Sequence, residues 1–304
     1  MFFAFPSRTP SIMEFFKSKL PDFVFLLLIF FKLCSKSSYL NIKTIFCSNL
    51  CKKNMSSNLI GNNIVRLNSV DSTNNYAAKM INQTNIPFGT VIMSHFQTSG
   101  KGQRASNWIS PKATNLLFSV ILDTSFINPL DIFQLSKAIS LSLKMAVSEL
   151  VSKKVSIKWP NDILVDGCKI AGILIENQWA YNKLKSSIVG VGLNVNQTDF
   201  NSSFSATSLK MLSNKNYLLD DVLNLIIKYL NIYFEYLRNC DNRIINEEYF
   251  KYLFKYNEWS NYKTNGSFPF LGRITSVSRE GLIEIQKKDG SLTSYDLKEI
   301  SYVL

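Results

Sequence analysis

Short runs in which apolar and polar residues alternate are scattered along the chain, and apolar residues recur at helical spacing in a few longer ones. Asn115 to Leu122 alternates, with Leu116, Phe118, Val120 and Leu122 on one side, and reads as a half-buried strand. Ile64 to Leu67, Gly89 to Ser94 and Ser186 to Val195 read as further strands. Phe133 to Val151 places Phe133, Leu135, Ile139, Leu143, Val147 and Leu150 on one helical face. Tyr76 to Ile81, Tyr217 to Arg238 and Glu247 to Tyr256 are expected as helices. Between Ile163–Val165 and Ile170–Ile175, Asp166-Gly167 is a hairpin turn signal. Near Tyr262 the pattern changes to strands alone, Gly272–Val277, Leu282–Ile285 and Thr293–Leu297, with turns at Arg279-Glu280-Gly281 and Lys288-Asp289-Gly290. An α+β body followed by a small closed β-barrel is the expected architecture.

Charge refines this picture in one respect. The chain has 304 residues and a formal net charge of +12, which invites a nucleic-acid partner. Residues 1–54 hold eight Lys/Arg against two Asp/Glu, so half of the excess sits in a short leader. The remainder shows no basic stripe with interleaved aromatics, the footprint of a nucleic-acid binder. Phe23 to Phe31 is an apolar run of nine residues, far short of the ~20 needed to cross a bilayer but suited to a targeting segment. A start at Met55 would leave the leader untranslated, and in either case it is expected to carry no chemistry. Cys34, Cys47 and Cys51 lie in the leader, leaving Cys168, Cys240 and the lone His95 to the body. No Cys/His set has zinc spacing, and the body reads as a protein of a reducing compartment.

The stretch Lys158-Trp159-Pro160-Asn161-Asp162 is followed, across the expected turn, by Lys169. The hairpin swings Lys169 back toward Lys158, Asn161 and Asp162, and two cations brought together call for an anion between them. A solvated surface hairpin is the ordinary alternative. Gly100-Lys101-Gly102-Gln103-Arg104 joins glycines, which let backbone N–H groups approach an anion, to two cations. Alone it is a weak signal, without the ending of a P-loop. Ser72-Thr73-Asn74 precedes a helix and could do no more than cap it.

Taken in order, Ser72-Thr73-Asn74, Gln97 to Arg104, Trp108-Ile109-Ser110-Pro111, Asn115-Leu116, Lys158 to Glu176 and Gly190-Val191-Gly192-Leu193-Asn194 form a series that strongly resembles biotin protein ligases. The resemblance covers residues 64–304. It implies a mixed-sheet catalytic domain of the class II synthetase-like kind over 55–262, an SH3-like domain over 263–304, and a leader over 1–54. The implied activity makes biotinyl-5′-AMP from biotin and ATP, with Mg²⁺, and transfers the biotin to a lysine of a biotin carboxyl carrier protein. By the family's pattern Lys169, Lys101 and Asp162 are catalytic. Ser72, Thr73, Asn74, Gln97, Gly100, Lys101, Gly102, Gln103, Lys169 and Gly172 would meet biotin. Lys101, Gln103, Arg104, Trp108, Asn161 and Asn194 would meet ATP or the adenylate, and no metal-ligating side chain is implied.

The chain departs from the family where Lys101 and Gln103 stand for the arginines of a Gly-Arg-Gly-Arg loop and Ala105 for a glycine. Lysine keeps the charge but loses the bidentate fork. No helix-turn-helix pattern precedes Ile64, so a ligase without a DNA-binding domain is expected, cytoplasmic unless the leader targets an organelle. No membrane partner is expected, and a homodimer is possible. A lipoate–protein ligase or octanoyl transferase of the same fold, or a catalytically idle biotin-binding module, are the competing readings.

Overall fold

The computed structural model describes residues 60–303 apart from 84, 104, 105, 201–204, 265, 267 and 298. The expected leader, the alternative start at Met55, Arg104 and Ala105 therefore lie outside the described residues.

Seven strands form one mixed sheet: β1 (Ile64–Leu67), β2 (Val91–Ser94), β3 (Leu116–Asp123), β4 (Val155–Lys158), β5 (Asp162–Val165), β6 (Cys168–Ala180) and β7 (Lys183–Leu193). Their order is β1-β2-β3-β7-β6-β5-β4, with β1 and β2 parallel and every other pair antiparallel. Helix α1 (Thr73–Gln83) follows β1, and α2 (Phe133–Leu150) follows β3. After β7 come α3 (Leu209–Ser213), α4 (Leu219–Arg238) and α5 (Asn242–Tyr252).

Strand alternation assigns each face of the sheet to different partners. Leu116, Phe118, Val120 and Leu122 of β3 and Val189, Val191 and Leu193 of β7 join the main core with α2, α4 and α5. Ile121 and Ile188 point the other way and pack with Ala77 of α1. On that second face the neighbouring β3 and β7 positions are Ser119, Gly190 and Gly192. The polar and side-chain-free positions thus fall on the thinly covered face.

The hairpin expected at Asp166-Gly167 is present, with φ of 47° and 84° at the two residues. Strand β6 is longer than the apolar run suggested, because it continues through polar residues to Ala180, paired with β7 out to Lys183. Helix α1 starts at Thr73 rather than Tyr76, with Ser72 O accepting Tyr76 N. Helix α5 runs from Asn242 to Tyr252, earlier than the expected Glu247–Tyr256, since Ile245 and Tyr249 bury one helical turn apart and Leu253 is extended. The sequence pattern missed β4, α3 and two strands farther on, Trp259–Thr264 and Ile300–Tyr302.

A second, all-antiparallel sheet has the order β11-β10-β9-β8-β12. Its strands are β8 (Trp259–Thr264), β9 (Phe270–Val277), β10 (Ile283–Lys287), β11 (Leu292–Tyr295) and β12 (Ile300–Tyr302). This is the SH3-like unit, and β8 runs across the boundary expected between residues 262 and 263. Its β9–β10 turn touches the body: Trp159 Nε1 donates to Gly281 O at 3.0 Å, and Arg279 binds Asp131 through two N–H groups. That guanidinium holds the Asp131 carboxyl below its ordinary range.

Lys137 of α2 is 2% exposed. Its ammonium donates to Asn246 Oδ1 at 2.8 Å and lies 5.2–5.8 Å from the ring centroids of Phe133, Tyr249 and Phe250. Burial lowers its pKa from 10.5 to about 8, with Asp131 opposing the shift. Between those values the unfolded chain holds a proton that the folded chain has released, so stability rises with pH in that window. Relative to a Lys137→Met variant, the wild type should gain about 2 kcal/mol between pH 7.5 and 9.5 in denaturant titrations. Parallel pH profiles for the two proteins would contradict this.

Candidate active site

A cleft of about 240 Å³ opens on the α1 face of the large sheet. Its floor is made by register. Across the strands Asp162 pairs with Gly172, Gly172 with Gly192, and Gly192 with Leu117. The next row is Ser119, Gly190 and Leu174. A Cβ on Gly192 would lie 2.3 Å from Trp108 Cε2, and one on Gly190 2.3 Å from Asn74 Oδ1. Both glycines are needed because side chains approach the backbone too closely for any other residue.

One wall is a hydrogen-bonded set from four segments. Residues 96–99 run beside 70–71, with Val70 N donating to Phe96 O and Thr98 N to Val70 O. This delivers Gln97 to the start of α1, where its Oε1 accepts Thr73 N at 2.8 Å and Thr73 Oγ1 at 3.0 Å. Ser119 Oγ lies 2.7 Å from Thr73 Oγ1 and 2.6 Å from Asn74 Oδ1. Asn74 Nδ2 donates to Glu176 Oε2 at 2.7 Å. Ser72, Thr73 and Asn74 are buried, so they do more than cap a helix.

The loop from Gly100 is a tight hairpin. Gly102 N donates to Ser106 O, Trp108 N donates to Gly100 O, and Gln103 O accepts Ser106 N and Oγ. Lys101 and Gln103 line the cleft; Gly100 does not, its backbone holding Trp108 instead. Lys101 Nζ stands 3.7 Å from Glu176 Oε1. The Trp108 ring lies over Gly172 and Gly192, with Lys169 Nζ 5.7 Å from its centroid. Behind it Asn115 Nδ2 donates to Ser110 Oγ at 3.0 Å and fixes the end of the loop.

Lys169 is held by its backbone on both sides. Strand β5 flanks it on one edge, and on the other Lys169 N donates to Ser205 O and Lys169 O accepts Thr207 N. Its ammonium is 2.6 Å from Asp162 Oδ1. Asn161 Nδ2 donates to Ile173 O at 2.8 Å, bracing the β6 edge where β5 ends. Lys158 faces away from the cleft, with its ammonium 5.2 Å from the Tyr302 ring centroid. Burial, then Lys169 and Lys255, lower its pKa against the pull of Asp162.

The structure thus gathers Ser72, Thr73, Asn74, Gln97, Lys101, Gly102, Gln103, Trp108, Asn161, Asp162, Lys169 and Gly172 around one cleft. Gly100 and Asn194 do not line it; Asn194 is buried, and its Nδ2 donates to Thr207 O at 3.0 Å beside Lys169. Arg104 lies outside the described residues. Ser119 was not singled out from the sequence, and Glu176 was named only as the end of the Lys158 to Glu176 stretch, with no role. Ser119 could have been found from its polar position in an apolar strand.

A Gly192→Ala variant should drive Trp108 off the floor. The Trp108 emission, taken as the difference from the same protein carrying Trp108→Phe, should shift to the red relative to wild type; an unchanged difference spectrum would contradict the packing.

Residues 67–194 match the model of the Biotin/lipoate A/B protein ligase family. The bifunctional ligase/repressor BirA of Bacillus subtilis is 33% identical over 140 residues, covering 46% of this chain and 42% of that protein. A biotin–[acetyl-CoA-carboxylase] ligase of Paracoccus denitrificans is 32% identical over 127 residues, covering 41% and 51%. The chain spans about half the length of these curated relatives. A biotin protein ligase from Aquifex aeolicus, solved in complex with biotin and ATP, superposes with a TM-score of 0.65 at 25% identity, covering 79% of this chain and 98% of that one. Residues 67–194 thus resemble the biotin/lipoate A/B protein ligase family, and the chain has the fold of the Aquifex aeolicus biotin protein ligase.

Proposed function

We propose that the protein is an ATP-dependent biotin–protein ligase, which forms biotinyl-5′-AMP and passes the biotin to a lysine of a biotin carboxyl carrier protein. The observation that carries this reading is that Lys101 and Lys169, from separate segments, open on the cleft that also holds the Thr73–Gln97–Asn74 hydrogen-bonding wall. A planar ureido group needs matched donors and acceptors, which that wall supplies. A carboxylate and a phosphate brought together need cations and N–H donors, which the opposite side supplies.

In the first step an oxygen of the biotin carboxylate attacks the α-phosphorus of ATP, and the bond to pyrophosphate breaks. Lys169 exchanges its partner Asp162 for the reacting oxygens and steadies charge as it moves to the leaving group. Lys101 does the same from the loop side. In the second step the carrier's amine attacks the biotinyl carbonyl carbon, and AMP departs with the bridging oxygen. Asp162, released by Lys169, is then available to orient the amine and take its proton.

Among the described residues no group of three or more His, Cys, Asp or Glu side chains could hold a metal, and Asp162 and Glu176 at the cleft already have lysine partners. Mg²⁺ is expected with the phosphates of ATP, where it keeps most of its ligands. Among the described residues no helix is long and apolar enough to cross a membrane. The scarcity of cysteine in the body supports a cytoplasmic site of action.

Incubation with labelled biotin, ATP, Mg²⁺ and a carrier domain should label the carrier, while lipoate in place of biotin should not. Label from lipoate would identify the rival ligase, and tight biotin binding without transfer an idle module. Lys169→Ala should slow biotin-dependent ATP–pyrophosphate exchange by roughly 10²–10³, the usual effect of removing one charge-stabilising donor. A variant that exchanges at the wild-type rate would remove Lys169 from the mechanism.

A further inference from the structure

We propose that Glu176 is a positioning residue that couples occupation of the biotin-head wall to the placement of Lys101, and so to nucleotide binding. The inference rests on the ligase reading. Its basis is that one carboxylate serves both halves of the cleft. Glu176 Oε2 accepts Asn74 Nδ2 at 2.7 Å, and Oε1 faces Lys101 Nζ at 3.7 Å. Behind Asn74 the chain of polar contacts continues through Ser119 and Thr73 to Gln97. Glu176 therefore joins the loop lysine to every side chain of that wall.

The two bonds differ in kind. Asn74 is 2% exposed and gives Glu176 a short, charge-assisted hydrogen bond, which fixes the carboxylate. The pair with Lys101 is long and open to water, with side-chain exposures of 43% and 38%. Exposed pairs of that sort contribute little net stability. Lys101 is therefore held near the cleft without being trapped, and a phosphate can take it over readily. The direction of Glu176 follows from register, since Glu176 lies opposite Ile188 on the strand face that carries Gly172 and Leu174. A ligand that hydrogen-bonds with Asn74 or Thr73 acts on the same network that aims the carboxylate at Lys101. Binding at one half then changes the affinity of the other, and the coupling is reciprocal.

Glu176→Gln separates the two contacts. Its amide oxygen can still accept from Asn74, but no charge faces Lys101. Biotin binding alone should stay within about threefold of wild type. The coupling is read with α,β-methylene-ATP, which binds without reacting, by titration with and without saturating biotin. Wild type should bind this nucleotide about tenfold more tightly with biotin present, within the usual range for linked sites. Glu176→Gln should reduce that factor to about twofold or less. Lys101→Met should reduce it equally, and the double variant no further.

A Glu176→Gln protein with the wild-type coupling factor would overturn the proposal. So would one in which biotin and nucleotide affinities fall together with the factor unchanged, because that is the signature of a merely structural residue. If wild type binds both ligands independently, the coupling fails while the ligase reading stands. If it binds neither, the ligase reading fails and takes the coupling with it.

Discussion

The depth of the cleft depends on side chains that are missing from one face of the large sheet. Gly172, Gly190 and Gly192 lie beside one another on β6 and β7, and two of them have no room for even a methyl group. Alternation along β7 sends Val189, Val191 and Leu193 into the main core, so the glycines are confined to the opposite face. Trp108 can then lie flat on the backbone and Asn74 can reach across Gly190 to Glu176. With larger residues there, the loop carrying Lys101 and the helix carrying Asn74 would be held away from the sheet, and the polar groups would not meet.

Charge is arranged with the same economy. Each lysine at the cleft has a carboxylate neighbour, Lys169 with Asp162 and Lys101 with Glu176. On the proposed reading, an incoming anion would therefore exchange one partner for another instead of neutralising a bare cation. The Lys158–Asp162 stretch works in two directions. Asn161 and Asp162 serve the cleft, whereas Trp159 bonds to Gly281 O and Lys158 stacks on Tyr302. The SH3-like sheet therefore grips the segment that carries Asp162.

Much of this was legible in the sequence, for physical reasons that differ by element. The Asp166-Gly167 turn and the β-branched run after it were enough to bring Lys169 back to Asp162. The length and periodicity of α2 and α4 made them visible. Asn194 was expected at the nucleotide, and the structure adds that its Nδ2 donates to Thr207 O. The backbone bonds from Gly102 to Ser106 and from Trp108 to Gly100 join the two arms of the Lys101 loop, and no local sequence pattern announces them. The partners of Glu176 were hidden for the deeper reason that they come from α1 and from the loop, and no local pattern encodes which distant segments will share one carboxylate.

In the proposed reaction this cleft joins a biotin carboxylate oxygen to the α-phosphorus of ATP before an amine displaces AMP. Biotin labelled with ¹⁸O in its carboxylate tests it most directly, with the AMP and pyrophosphate analysed by mass spectrometry after transfer to a carrier domain. Activation at the α-phosphorus moves one labelled oxygen into AMP and none into pyrophosphate. AMP free of label, after a complete turnover, would contradict the account.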